Sequence, residues 1–199
     1  MLKSTYPNPL VINLSIDTPN DPSPPLEFQT NGKLAEKGIT VTEQSNIDQL
    51  SSRGYGTIEN KILTLTFFET LYLQDKGMLI VKNDKNTPVD FQMILHAYQA
   101  IDENAWVNYL IYRDLRSRGY VVREGFGAKT EFRVYERGTY GKDSASYLVL
   151  GTQEGKPTDI DLLANTLQQC QNQKKELVLA VMNRRGEIVY YSVAQLAFK

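Results

Sequence analysis

The run Glu-Leu-Val-Leu-Ala-Val-Met at residues 176–182 is apolar from Leu177 to Met182. An alternating pattern would mark a strand with one wet face, whereas an unbroken run marks a strand covered on both. A chain holding such a strand must bring a layer to each side of it. The neighbouring segments supply those layers. Residues 103–118 place Val107, Leu110, Ile111 and Leu115 on one helical face, and Gly119 offers a left-handed stop. Strand-like stretches follow in YVVRE (120–124), TEFRVYE (130–136) and SYLVLG (146–151). A second helix spans PTDIDLLANTLQQCQNQ (157–173), with Thr158 as N-cap and Asp161 three residues on. A turn at Gly186 leads to a closing strand in EIVYYSV. The order helix, three strands, helix, two strands predicts a mixed sheet with helices packed on it, over residues 103–199.

Residues 1–102 read as a separate, small α+β module. VINLSI (11–16) and LEFQT (26–30) suggest short strands around a proline-rich loop, and GITVTEQ (38–44) a third. NIDQLSSRGYG (46–56) suggests a short helix ending at Gly54. LTLTFFETLYLQDKG (63–77) carries Phe67 and Leu71 at helical spacing and stops at Gly77, and MLIV follows as a strand. Thr87 reads as the N-cap of a last helix with Pro88 at its first position.

Few functional classes survive the residue inventory. No run of about 18 apolar residues offers a membrane span, and the first 25 residues lack a secretory pattern. A cytoplasmic, membrane-free protein is the default. One cysteine, Cys170, and one histidine, His96, exclude an internal disulfide and a Cys- or His-rich metal site. Cys170 reads as a packed helix residue and His96 as a helix-surface histidine. No phosphate loop, dinucleotide fingerprint, nucleophile elbow or paired-carboxylate nuclease motif occurs. Net charge is −1, but residues 103–199 hold 14 Lys and Arg against 11 Asp and Glu, while residues 1–102 hold 8 against 12. The second half is the one suited to meet an anion.

What remains is arginine, tyrosine and lysine. Arg113, Arg116, Arg118 and Arg123 crowd one helix end and the strand after it. In FRVYERG, Phe132 and Val134 share one strand face, and Arg133 and Tyr135 the other. Lys174 and Lys175 immediately precede the buried strand. A phenol titrates near pH 10 and is a poor base at neutrality. A lysine ammonium close by favours the phenolate and can stabilise a pentavalent phosphate. Such a pair suits attack of a ribose 2′-OH on its own phosphate.

The segments YRDLRSRGYVVREGFG, FRVYERG, SYLV and KKELVLAVMNRRGEIVYYSV resemble the catalytic domain of archaeal tRNA-splicing endonucleases. RGYG and LTLTFFETLYLQDKGMLIV resemble that family's N-terminal module, so the likeness runs from about Ser52 onward. The resemblance implies an α/β (α+β) chain: a small N-terminal α+β module, then a C-terminal mixed-sheet domain of restriction-endonuclease-like type. It also implies an activity. The family cuts precursor tRNA at bulge–helix–bulge intron junctions, leaving a 2′,3′-cyclic phosphate and a 5′-hydroxyl, with no metal or other cofactor. Tyrosine serves as general base, histidine as general acid, and lysine stabilises the transition state.

By motif position Tyr135 matches the tyrosine and Lys175 the lysine, with Lys174 as the alternative. The histidine is missing. The family reads His-small-x-aromatic-Leu-Val where this chain reads SASYLV, so Ser144 takes its place, or Ala145 if the register shifts by one. Two readings follow, a catalytic subunit with its acid replaced or a structural subunit of the same complex. A plain RNA-binding module is a third, kept open by 12 tyrosines that mostly fall in core-like patterns. Gln168 stands where one of the family's base-clamping arginines sits. Within the family the segment that carries Arg113, Arg116 and Arg118 is mainly architectural, with Arg116 expected to pair with an acid near Asp114 or with a second-layer carboxylate. The family also assembles four units, homo- or hetero-oligomeric. The C-terminal strands LVLAV and EIVYYSV would join one pair. An acidic loop with Glu154, Asp159 and Asp161 would dock on the opposite unit.

Overall fold

The computed structural model describes residues 28–35, 38–125 and 132–195. The strand expected at 11–16 and the first two residues of LEFQT lie outside them. The first sheet contains β1 (Thr30–Ala35), β2 (Gly38–Val41), β3 (Thr57–Glu59), β4 (Ile62–Leu65), β5 (Leu79–Lys82) and β6 (Pro88–Val89), in the order β3-β4-β2-β1-β5-β6. Its β1 and β5 run parallel and its other pairs antiparallel. Helices α1 (Gln44–Ser52), α2 (Phe67–Asp75) and α3 (Phe91–Gln99) accompany it. The second half follows the expected order: α4 (Ala105–Ser117), β7 (Val121–Glu124), β8 (Phe132–Tyr135), β9 (Tyr147–Gln153), α5 (Ile160–Asn172), β10 (Glu176–Met182) and β11 (Ile188–Val193). Its sheet is ordered β11-β10-β9-β8-β7. Only β9 and β10 pair in parallel, and α5 is the crossover such a pair requires. Among the described residues no helix is long and apolar enough to cross a membrane.

Three sequence expectations are corrected at helix starts. LTLTFFETLYLQDKG is two elements, because Leu63 and Leu65 alternate into the core as β4 before Thr66 caps α2. Glu69 N donates to Thr66 Oγ1 at 3.4 Å, and Thr66 N donates to Glu69 Oε2 at 2.9 Å, a reciprocal capping box. Thr87 does not cap α3. Pro88 and Val89 pair with β5, and Asp90 caps instead, its Oδ1 accepting from Met93 N at 2.8 Å. Thr158 likewise yields to Asp159, whose Oδ1 accepts from Asp161 N at 2.9 Å and Leu162 N at 3.4 Å.

One core runs through both halves. Phe68 of α2 packs against Tyr112 of α4 at 4.9 Å and edge-on against Phe132 of β8 at 5.2 Å between ring centres. The α4 face predicted from spacing is buried at Val107, Leu110, Ile111 and Leu115. The other side of the second sheet has a thinner core of Leu148, Leu150, Cys170 and Leu177 beneath α5. There β10 falls short of burial on both faces: Leu177 and Ala180 are buried, but Val178, Leu179, Val181 and Met182 are only half-buried. At the edge strand β11, Val189 and Tyr191 are exposed.

Candidate active site

Three strands of the second sheet bring the predicted tyrosine and lysine to one end. Val134 of β8 lies opposite Tyr147 of β9, and Tyr147 lies beside Glu176 of β10. One position further out, Tyr135 and Lys175 flank Ser146 from its two sides. Ser146 N donates to Val134 O at 3.1 Å, and Glu176 N donates to Ser146 O at 3.0 Å, holding that outer row. Strands lie about 4.8 Å apart, so Tyr135 and Lys175 are roughly 10 Å apart at the backbone. Alternation gives them a shared face. Phe132 and Val134 enter the main core, which sends Arg133 and Tyr135 to the α5 side. Leu177 packs under α5 with Cys170, and Lys175 stands two residues before it.

The end of α5 sets the lysine. Lys174 N donates to Gln171 O at 3.0 Å and Lys175 N to Cys170 O at 2.9 Å, the paired bonds of a Schellman ending. The same ending closes α4, where the left-handed residue is Gly119 at φ +84°. In α5 that residue is Lys174 at φ +54°, a conformation that costs a side-chain-bearing residue roughly 1–2 kcal/mol. Lys174 is exposed, and its neighbour Lys175 carries the row, with Nζ donating to Gln173 Oε1 at 3.1 Å.

Tyr135 is half-buried, its ring edge-on to Tyr140 at 5.0 Å. Tyr140 belongs to the β8–β9 loop, where Lys142 N and Asp143 N both donate to Thr139 O at 2.9 Å. Ser144 is exposed in this loop, whereas Ala145 is buried. An imidazole is accommodated at 144 without overpacking and at 145 only by displacing core. Five other tyrosines are poor bases. Burial pushes Tyr72 up to about 12 and also raises Tyr109, Tyr112, Tyr147 and Tyr190. Tyr147 and Tyr190 are further committed as donors, to Glu136 Oε1 at 3.3 Å and Asp114 Oδ2 at 2.7 Å.

Two of the four clustered arginines, Arg116 and Arg123, hold the halves together. Arg116 donates to Arg53 O at 3.1 Å and Tyr120 O at 3.4 Å, with its guanidinium 3.9 Å over the Tyr55 ring. Arg123 donates to Gly54 O at 3.1 Å, Thr57 Oγ1 at 3.1 Å and buried Glu69 at 3.3 Å. The RGYG segment is thus a joint. At Gly54, φ is +77° and a Cβ would strike Val121 and Tyr140, so a side chain is excluded twice over. The acid near Asp114 expected for Arg116 is taken by Arg118 instead. Arg118 grips Asp114 with two bonds, 2.7 and 3.1 Å, because i and i+4 share a helix face while Arg116 points to Tyr55. Arg113 stays on the exposed surface.

The remaining predicted residues do not join the row. His96 is exposed on α3, Cys170 is buried under α5, and Gln168 is exposed on α5. Glu154, Asp159 and Asp161 are exposed around the β9–α5 connection, Asp159 serving as the α5 cap. Ser146 carries no local sequence signal and emerges only from strand register; Glu69 is signalled only as the Thr66-x-x-Glu69 capping box, and its partnership with Arg123 emerges only from packing.

The family described as tRNA intron endonuclease, catalytic C-terminal domain, matches residues 105–190, and its N-terminal domain counterpart matches residues 30–95. A tRNA-splicing endonuclease of Methanococcus vannielii is 32% identical over 164 residues, covering 82% of this chain and 93% of that protein. One from Pyrococcus furiosus is 35% identical over 174 residues, covering 87% and 98%. One from Pyrococcus horikoshii is 30% identical over 175 residues, also covering 87% and 98%.

Proposed function

The chain belongs to the tRNA intron endonuclease family, and on that premise we propose that it is a cytoplasmic subunit that cuts precursor tRNA at bulge–helix–bulge intron junctions. Its two modules join near residue 102. The observation that carries the reading is the row of Tyr135, Ser146 and Lys175 where β8 ends and β9 and β10 begin. A ribose 2′-oxygen attacks its own phosphorus while Tyr135, entering the step as the phenolate, accepts the 2′-proton. The Lys175 ammonium offsets the charge that builds on the phosphorane oxygens. The bond from phosphorus to the 5′-oxygen then breaks, leaving a 2′,3′-cyclic phosphate and a 5′-oxygen that must gain a proton. Histidine does this well because it titrates near neutrality. Ser144, standing in its place, does not, so water supplies that proton and the step is slow.

Ser144 also favours a second reading, a structural subunit of the same complex whose partner carries the chemistry. In either case C-terminal strands and the acidic loop join it to further subunits. The test is end analysis of a bulge–helix–bulge precursor incubated with chelator. Products should carry 5′-hydroxyls that polynucleotide kinase labels without prior dephosphorylation. Products with 5′-phosphates would overturn the chemistry. Cleavage only with a second, histidine-bearing subunit would assign the structural role.

A further inference from the structure

At the other end of the second sheet, seven β10 residues or roughly 23 Å from the Tyr135 row, lies a groove of about 660 Å³. Trp106 and Arg113 of α4, Met182 at the end of β10, Arg184 and Arg185 of the β10–β11 turn, and Glu154 are among its lining residues. The volume is within the range of sites that bury a small ligand or a nucleotide. We propose that this groove is a second RNA contact, holding a single-stranded segment of the substrate with a base stacked on Trp106 and phosphates on the three arginines. The proposal rests on the family reading above and extends it to a surface remote from the cut.

The groove is built rather than incidental. Trp106, Tyr109 and Arg113 fall at i, i+3 and i+7, one face of α4. Tyr109 lies between the others, its ring 5.6 Å from Trp106 and 5.7 Å from the Arg113 guanidinium. Trp106 is 40% exposed, so ring surface remains for a base. The arginine turn is fixed by Asn183, whose Oδ1 accepts from Arg185 N at 2.8 Å and Glu187 N at 3.0 Å, while Gly186 N donates to Asn183 O at 3.0 Å. Arg113, Arg184 and Arg185 form no ion pair within 4 Å among the described residues. Against the single carboxylate of Glu154, they leave the groove net positive. An aromatic platform beside guanidinium groups that no carboxylate pairs among the described residues is the chemistry of single-strand binding: the π-face takes any base and the arginines track the backbone.

Trp106 is the chain's one tryptophan, so its fluorescence reports this groove alone. The full chain is titrated with a uridine hexaribonucleotide, which has no bulge–helix–bulge and does not test cleavage. Saturable quenching is expected, with log affinity falling about 0.7 per decade of salt for each phosphate engaged. Arg184→Ala and Arg185→Ala, both in an exposed turn, should each weaken binding and remove about 0.7 from that slope. Trp106→Ala, read by anisotropy of a labelled hexamer, should weaken binding about 5- to 150-fold. No quenching at low salt, or quenching indifferent to both arginine variants, overturns the proposal. Fluorescence that responds to protein dilution but not to RNA assigns the groove to a second protein chain and also overturns it. Precursor cleavage without hexamer quenching rejects this groove alone, whereas hexamer binding without cleavage, alone or with a partner subunit, rejects only the catalytic reading.

Discussion

Arg123 of β7 donates to the buried carboxylate of Glu69 at 3.3 Å, tying together residues 54 positions apart. Glu69 also accepts from the backbone N–H groups of Gly56 and Thr66. Burial pushes its carboxyl above the ordinary 4.5, against the pull of Arg123 and of those two donors. Removing Arg123 leaves a buried carboxylate without its cation, a loss that typically costs about 3–5 kcal/mol. Arg123→Met should therefore lower the urea midpoint strongly, and Glu69→Gln in that background should recover part of it.

The same pair has a pH signature. A carboxyl raised on folding contributes stability that is present below its unfolded value and lost as pH rises through the folded value. Without Arg123 the folded value rises further, so the deficit of Arg123→Met relative to the parent should be larger at pH 8 than at pH 5. Urea midpoints at the two values check this. An equal deficit at both would mean that the contact acts by packing alone.

The two lysines before β10 should separate cleanly. Lys174→Gly relieves the left-handed strain at φ +54° and should raise stability by up to about 1 kcal/mol with cleavage unchanged. Lys175→Ala should leave the fold intact and lower cleavage. If cleavage follows Lys174 instead, the transition-state role moves to that residue.

Much of this was legible in the sequence, and the failures have physical reasons. The order of the second half could be read because each element carries its own period, 3.6 in α4 and α5, and a near-continuous apolar run in β10. Helix starts were harder. Thr87 and Asp90, or Thr158 and Asp159, all offer acceptor oxygens, and only the chain's path decides which one meets the free N–H groups. The face of Tyr135 followed from alternation, but the unbroken apolar run gave Lys175 none, and their row required the parallel pairing of β9 with β10. The joint between RGYG and the arginines had no local signature, since Arg116 reaches Arg53 across 63 positions.

Assembly should depend on β11. Val189 and Tyr191 are 44% and 54% exposed at a sheet edge, so Val189→Glu or Tyr191→Glu should barely change monomer stability. Light scattering should give smaller particles for each. Unchanged mass would place the contact elsewhere.

The acidic loop can be tested without melting its helix. Asparagine caps as well as aspartate, so Asp159→Asn with Glu154→Gln and Asp161→Asn removes charge and keeps α5. Association should weaken, and more so at low salt, where screening is least. If assembly holds, Asp159 serves α5 alone.

Whether Tyr135 and Lys175 form a catalytic row lacking only its acid is decided by the single-turnover cleavage rate of a bulge–helix–bulge RNA. The unmodified chain alone should cut slowly or not at all. Ser144→His should raise the rate by roughly 10²–10⁴-fold, the range for a positioned acid or base, and Tyr135→Phe should abolish that gain. Rapid cutting by the unmodified chain would contradict the assignment of the gap to Ser144. No gain with histidine at 144 or 145, alongside activity with a partner subunit, would contradict the catalytic roles of Tyr135 and Lys175.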